Sequence, residues 1–553
     1  MDPSADGVPE IAHRRTTRRA VLFAGGGLAA AAAAAAVANF AGAGGGAVHT
    51  SESPPPPPTA GDAGTAAVAT TATPVATVAS PSPLADPLKR AAHLLRRAGF
   101  GGAQAEVERF AALSREEAAN RLVDYAAVDN GALNARIAAA NFTLRITDEA
   151  GQRGQAIRDM QRWWLTRMAY TARPLEERMT FIWHGMLTSQ VSKVGPLRAR
   201  LLVDQIELYR SMATGRFDDL IQAVSKDPAM MTYLDTVEST KEHPNENYPR
   251  ELLELFTMGI GNYTEDDVRE ASRAFTGWRL TPPPRPDPAA VAGLNEAERD
   301  ALRRKLAYEH NPAFRLQANQ HDYGQKTFLG KTGAWGGEDI VRIVMEQPAT
   351  ARFVCERLWS ELAYSSPETP VVDRLVAVWD KSGHSIAELV RAILVSDEFY
   401  SDRAYFGKVR SPVELLVGLI RGLELDSALE LQQGRGRQGG GFYQAMDQVL
   451  FEPPNVAGWP GGPLWLSSST WFARLNFLDQ FLFPRGRAVA VPGVGGSTPE
   501  ALVDAIAGRL IDGGLAGARR AAVIDHVSAV REPAERAATA AYLVAASPEY
   551  QLI

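Results

Sequence analysis

The chain has 553 residues, of which 45% are hydrophobic and 22% are charged. This balance is typical of a soluble globular protein with a large core, and it excludes wholesale disorder and a polytopic membrane protein. The formal net charge of −6 argues against nucleic acid as the main partner. The single cysteine, Cys355, excludes an intrachain disulfide framework and any cysteine-cluster zinc or iron–sulfur site.

Residues 1–43 have the pattern of an export signal. A basic block after His13 precedes an uncharged Ala/Gly stretch, and the AGA sequence at 41–43 suits cleavage. The TRRAVL sequence at 17–22 resembles the twin-arginine motif, whose transporter moves folded proteins. We therefore expect export by the twin-arginine route to the cell envelope or the medium, with no further membrane span. An uncleaved signal anchor is the alternative, because the stretch is nearly long enough to cross a bilayer.

Residues 44–87 form a second segment of distinct composition. They are rich in Gly, Ala, Thr, Ser and Pro, and they include the proline run Pro54–Pro58. Such a segment cannot bury enough apolar surface to fold, and a proline run favours an extended spacer. We predict a disordered linker.

Residues 88–553 carry apolar side chains at helical spacing almost throughout. A clear example is the set Ile386, Leu389, Val390, Ile393 and Leu394. Helix starts agree, since Pro174 is typical of a first helical position and Thr264 with Asp267 forms a variant of the capping box. We predict a single large all-α domain.

The first candidate site lies on the helix that begins at Pro174. Four polar residues, Glu177, Thr180, His184 and Thr188, form one stripe on an otherwise apolar helix. A histidine in a cleft suits proton transfer or metal binding. The alternative is a core histidine that bonds a neighbouring carbonyl, because buried polar groups are usually satisfied.

The second candidate is the sequence NENYPRELLELF at 245–256. Glu251 and Glu254 lie three residues apart on one helix face, where two carboxylates can chelate a divalent cation or divide acid and base roles. Asn247 and Arg250 lie beside them and are candidates for substrate binding. The alternative is a solvated face whose negative charge suits a helix N-terminus.

The third candidate is HDYGQKT at 321–327, where His321, Asp322 and Lys326 lie in a Gly-containing loop. Loops with these residue types often bind or catalyse. The alternative is an ordinary surface turn, which collects the same residue types.

The fourth candidate is FEPPNVAGWPGG at 451–462. Prolines stiffen this loop, and Trp459 offers a flat apolar face that can stack on a sugar ring or grip a partner chain. The alternative is a tryptophan packed on the helices. Cys355 has apolar neighbours at helical spacing, so we expect a small buried hydrophobe. The sequence has no GxSxG elbow, P-loop, HExxH or haem motif.

Five motifs together resemble a bacterial family, the domain of unknown function 1800. They are ERMTFIWHGMLTS (177–189), PNENYPRELLELFTMGIGNYTEDDVREASRAFTGW (244–278), HDYGQKTFLG (321–330), QPATARFVCERLW (347–359) and LFEPPNVAGWPGG (450–462). The resemblance covers residues 88–553 and implies an exported helical protein of unestablished activity. Family members often appear beside an exported family of sulfatase-like fold, which implies a partner protein in the envelope.

Two functions remain open at this point. The first is an extracytoplasmic hydrolase of an envelope or environmental polymer, with a divalent metal as one option. Its catalytic residues would be Glu251, Glu254, His184, His321 and Asp322. Its substrate-binding residues would be Trp459, Lys326, Arg250 and Asn247. This function requires the motifs to converge on one cleft. The second is a non-catalytic scaffold that binds an exported partner through the Trp459 loop, which predicts an exposed aromatic patch.

Overall fold

The computed structural model describes residues 82–144, 150–195, 199–426, 444–494 and 498–553. The predicted signal at 1–43 and nearly all of the predicted linker at 44–87 lie outside the described residues. The unit Pro83–Ile553 is built almost entirely of helices, which confirms the predicted all-α fold.

The helices follow one another with short connections. The first twelve are α1 (Pro87–Arg97), α2 (Gln104–Ala111), α3 (Arg115–Val123), α4 (Gly131–Ala140), α5 (Ala150–Tyr170), α6 (Pro174–Met186), α7 (Val191–Val194), α8 (Arg200–Ser211), α9 (Phe217–Ser225), α10 (Pro228–Tyr233), α11 (Asn247–Glu251) and α12 (Glu265–Ala274). Helix α11 continues directly into a π-helix, Leu252–Thr257. The remaining helices are α13 (Pro288–Val291), α14 (Glu296–Glu309), α15 (Gly337–Met345), α16 (Pro348–Leu362), α17 (Thr369–Ser382), α18 (Ile386–Val395), α19 (Pro412–Leu423), α20 (Ser468–Leu482), α21 (Pro499–Ile511), α22 (Gly517–Ser528) and α23 (Pro533–Ala545).

Four three-residue strands make two small antiparallel sheets between α12 and α15. Strand β1 (Trp278–Leu280) pairs with β2 (Phe314–Leu316), and β3 (Lys326–Phe328) pairs with β4 (Lys331–Gly333). The two residues between β3 and β4, Leu329 and Gly330, have φ of +46° and +76°. Positive φ at both positions is the pattern of a tight hairpin turn, and glycine adopts it without strain.

Helix starts carry the caps that the sequence indicates. Pro174 occupies the first position of α6, as predicted. The capping box of α12 is also confirmed, because the Asp267 amide donates to Thr264 Oγ1 at 3.2 Å and the Thr264 amide donates to Asp267 Oδ2 at 2.9 Å. Such caps satisfy amides that the first turn of a helix leaves without partners.

Helix α19 lies inside the molecule, and all twelve of its residues are buried. It packs against α5 from the N-terminal half and α21 from the C-terminal half. Its two buried charges have partners, since Glu414 pairs with Arg178 and the Arg421 Nε donates to the Gly101 carbonyl at 2.7 Å. Cys355 on α16 is fully buried, and burial raises the pKa of its thiol to about 12, so it serves as a small hydrophobe as predicted.

Candidate functional site

The site begins with α6, whose residues are buried over most of its length. Near its start, the buried Glu177 carboxylate accepts hydrogen bonds from Arg210 Nε at 2.7 Å and from Trp164 Nε1 at 3.2 Å. Arg167 Nε lies 3.3 Å from the same carboxylate. Glu177 is therefore held in an ion-pair network that fixes α5, α6 and α8 to one another.

His184, near the end of α6, is fully buried among aromatic rings. Its ring centroid lies 5.2 Å from that of Trp164, 5.5 Å from Trp459 and 5.8 Å from Phe451. Neither ring nitrogen has a hydrogen-bond partner among the described residues, so the carbonyl-bonded alternative is not what the structure contains. Burial lowers the pKa of this histidine to about 3, which keeps the imidazole neutral near pH 7.

The Trp459 loop packs directly on the end of α6. The Thr188 hydroxyl donates to the Val456 carbonyl at 2.6 Å, and the Trp459 ring stacks on Phe181 with centroids 6.3 Å apart. At Gly458, an added Cβ would lie only 2.3 Å from the Gly185 carbonyl oxygen. The first and fifth sequence motifs therefore meet, and the half-buried Trp459 is a packed residue in this contact.

The start of the same loop is tied to the segment that follows α6. Phe451 is a buried residue with φ of +66°, a conformation that costs a bulky side chain energy. Its carbonyl accepts the Val191 amide at 2.9 Å, and the next residue, Glu452, accepts the Ser192 amide at 3.1 Å. These two bonds fix the Glu452 carboxylate beside Thr188.

Tyr233, the last residue of α10, joins the second motif to this contact. Its buried hydroxyl is hydrogen-bonded to Thr188 and lies near the negative charges of Glu251 and Glu452. Burial and these two charges raise the pKa of the Tyr233 hydroxyl, and the bond with Thr188 opposes them. We call Thr188, Tyr233, Glu251 and Glu452 the Tyr233 cluster.

Glu251 lies at the junction of α11 with the π-helix. Its carboxylate is half-buried and accepts no hydrogen bond from the described residues. Burial and the nearby charge of Glu254 raise the pKa of Glu251, while Arg250 lowers it. Single turns of π-helix are rare and occur often at functional sites, so this junction is a distinctive place for a carboxyl group.

The other predicted residues of the second motif have structural partners. Glu254 accepts the Tyr263 hydroxyl at 2.7 Å, and Arg250 pairs with Glu265 at 2.8 Å. Asn247 Nδ2 donates to Asp235 Oδ2 at 3.1 Å. These contacts surround Glu251 and hold α11 in place.

The third motif is internally bonded and forms a separate group. His321 Nδ1 lies 2.7 Å from the Thr276 carbonyl, and Asp322 pairs with Arg273 at 2.8 Å. The buried Lys326 ammonium donates to the carbonyls of Asp322 and Gly324. No hydrogen bond or ion pair within the described part of the chain connects this group to the Tyr233 cluster.

Within the ranges that the structure describes, no group of three or more His, Cys, Asp or Glu residues is arranged to hold a metal ion. No helix among the described residues combines the length and apolar character that a membrane crossing requires.

The comparison with protein families is decided by the length of the match. A family model described as "Protein of unknown function (DUF1800)" matches residues 93–552. The chain belongs to the DUF1800 family. The matched range includes every residue of the Tyr233 cluster, so the cluster lies within the family domain. No curated protein and no solved structure matches the chain.

Three residues of this DUF1800 site escaped the sequence reasoning. Tyr233 ends a short helix and looks like any core tyrosine, and Glu452 lies in a predicted motif but has no charged neighbour in sequence. Asp227 precedes Pro228 and indicates only a helix cap, yet its carboxylate is buried and joins Gln205 at 2.7 Å. The burial of these groups depends on distant segments, which local patterns do not show.

Proposed function

We propose that this DUF1800 protein is a hydrolase of an envelope or environmental polymer and that its chemistry takes place at the Tyr233 cluster. The observation that supports this proposal is the meeting of two carboxyl groups, Glu251 and Glu452, at one tyrosine hydroxyl. The carboxyl groups differ in environment, since the Ser192 amide stabilises the charge of Glu452 and burial disfavours the charge of Glu251. Carboxyl groups in contrasting environments are suited to separate acid and base roles.

In the proposed reaction, Glu452 accepts a proton from a water molecule whose oxygen attacks the scissile carbon. Glu251, with its raised pKa, donates its proton to the oxygen or nitrogen of the leaving group as the bond to carbon breaks. One water is consumed, and a proton returned from Glu452 to Glu251 through solvent restores the site. Tyr233 would position the reacting group through its hydroxyl.

The residues predicted from sequence have different places in this proposal. Glu251 carries the acid role, and Glu254 adds the charge that helps to raise the pKa of Glu251. His184 stays a predicted catalytic residue that lies beneath the Trp459 loop. Catalytic roles for His321 and Asp322, and substrate contacts for Lys326, Arg250 and Asn247, also stay predictions and enter no step above.

The test is a comparison of E251Q, E452Q and the control E356Q on purified cell-wall polysaccharide and peptidoglycan, with release of soluble fragments as the readout. Glu356 is an exposed glutamate on α16, so its variant makes the same chemical change outside the cluster. Loss of a general acid or base costs about 100-fold or more in rate, so both cluster variants should fall by at least that factor. Full activity in both cluster variants, or no release by the folded wild type, would refute the proposal.

A second candidate function is a scaffold, favoured by an exposed apolar pair that follows the Trp459 loop. Leu464 is 69% exposed and Phe472 is 63% exposed, which is unusual for large apolar side chains. The partner proposed for this surface is the exported sulfatase-like protein that the sequence resemblance implies. Co-purification from the native host should recover that partner with the wild type and lose it with an L464S/F472S variant. Recovery of the wild type as a lone monomer would exclude this function.

We also propose that residues 1–43 direct export by the twin-arginine route and that residues 44–87 connect the body to its surroundings. The basic block and the AGA sequence support this proposal. Intact-mass analysis of the secreted protein should show a chain beginning near Gly44. A chain that retains residues 1–43 would contradict cleavage.

A further inference from the structure

A cavity of about 300 Å³ lies where α1, α19 and α21 meet. Three arginines line it: Arg96 on α1, Arg410 just before α19, and Arg509 on α21. None of the lining residues belongs to the Tyr233 cluster, so the cavity is a separate feature of the fold.

Only one of the three arginines is neutralised by a carboxylate. Arg96 makes a two-pronged pair with Asp512, at 2.6 and 2.7 Å. Arg410 is 2% exposed, donates from Nε to the Leu552 carbonyl at 3.1 Å and has no ion pair within the described residues. Arg509 donates to the Pro492 carbonyl at 2.9 Å and likewise lacks a carboxylate partner among them.

The cavity is kept open by glycines on α19. A Cβ at Gly418 would lie 2.7 Å from Arg410 Nη1, and a Cβ at Gly422 would lie 3.0 Å from the Leu510 side chain. The Arg410 guanidinium is also stacked on the Tyr550 ring, 4.2 Å from its centroid. Glycine therefore leaves room for the guanidinium, and the tyrosine ring fixes its plane against the cavity.

The protein around the cavity has more buried positive than negative charge. Nearby cations whose charges influence Arg410 or its neighbours are Arg97, Arg178, Arg474 and Lys408. The carboxylates that oppose them are Glu414, Glu361 and Asp512. Uncompensated cations in a low-dielectric interior are costly, and an anion in the cavity would lower that cost.

We propose that this cavity binds a phosphate group, as free phosphate or as a small phosphate monoester, through the guanidinium groups of Arg410 and Arg509. Planar guanidinium groups match the oxygens of phosphate with paired N–H donors, and burial strengthens each of these bonds. A volume of about 300 Å³ suits a small ligand. This binding site is independent of the proposed hydrolase chemistry.

The test is isothermal titration of the full-length protein with inorganic phosphate, at ionic strength held constant with sodium chloride. We expect saturable binding to one site. Titrations with glycerol 3-phosphate and with acetate distinguish the ligand classes, because tighter binding of glycerol 3-phosphate identifies a monoester site and tighter binding of acetate overturns the phosphate assignment. Absence of saturable phosphate binding up to about 10 mM overturns the proposal, since weaker affinity falls below that of specific ligands.

Variants locate the site. R509Q changes a half-exposed residue and should weaken phosphate binding by about tenfold or more, the usual effect of losing one charge-assisted pair. The control R520Q removes the same charge from exposed α22, where Arg520 pairs with Asp504, and should bind like the wild type. R410K keeps the charge but loses the planar fork, so it should also weaken binding. Wild-type affinity in R509Q would overturn the assignment even if R410K failed to fold.

Discussion

Asp227 provides a sharp test of the packing around the candidate site. Its buried carboxylate caps α10, accepting the Met230 amide at 2.8 Å and Gln205 Nε2 at 2.7 Å. Burial raises the pKa of Asp227 to about 7 in spite of these bonds. An aspartate in an unfolded chain has a pKa of about 4, so the folded protein holds a proton over about three pH units in which the unfolded chain has lost it.

This difference makes the free energy of unfolding depend on pH. Each pKa unit corresponds to about 1.4 kcal/mol, so Asp227 should lower the free energy of unfolding by up to about 4 kcal/mol as the pH rises from about 4 to about 7. Above the folded pKa the penalty stays constant. Asn at position 227 remains a good helix cap but does not ionise, so D227N should not show this decline.

The assay is urea denaturation of the wild type, D227N and the control D219N, whose Asp219 is exposed on α9. The difference between proteins is the useful quantity, because His184 titrates with the opposite sign and contributes equally to all three. From about pH 5 to about pH 8, the stability of D227N relative to the wild type should rise by about 3 kcal/mol. D219N should follow the wild type, and parallel curves for D227N and the wild type would refute the reasoning.

Three further predictions concern packing and buried charge. H184L removes two ring nitrogens without partners, so the free energy of unfolding in urea should rise by about 1–3 kcal/mol, most at acid pH, and a loss of stability would contradict this. G458A should lower Tm by several degrees and shift the tryptophan fluorescence because its Cβ meets the Gly185 carbonyl, whereas G185A, whose Cβ meets nothing within 4 Å, should change neither; equal Tm values would exclude the clash. E414Q leaves Arg178 buried without its counter-charge and should cost about 3–5 kcal/mol in urea denaturation; a loss of less than about 1 kcal/mol would show that the pair is solvated.

The sequence predicts the helical architecture well because its signals are local. The apolar residues of α18 recur at helical spacing, and the caps at Pro174 and Thr264 appear where the helices begin. The π-helix at Leu252–Thr257 has no such signal, since its sequence is equally suited to an ordinary α-helix. Its hydrogen bonds shift by one residue only where packing around α11 requires it.

The candidate site is less accessible to sequence reasoning because its residues meet across long distances in the chain. Glu251 and the Trp459 loop carry enough polar and aromatic character to be noticed. Tyr233 and Glu452 gain their significance from Thr188, which lies 45 residues before the one and 264 residues before the other. Periodicity and capping do not report such contacts, because they describe neighbours within one element.

The buried position of α19 has a consequence for dissecting the protein. Its neighbours come from both ends of the body, and Arg96 meets Asp512 across 416 residues of chain. Contacts of such separation form only after most of the chain has been synthesised and ordered. Separately expressed halves would each expose one flank of this apolar helix or of its partners, so they should aggregate rather than fold, whereas reassembly requires both halves together.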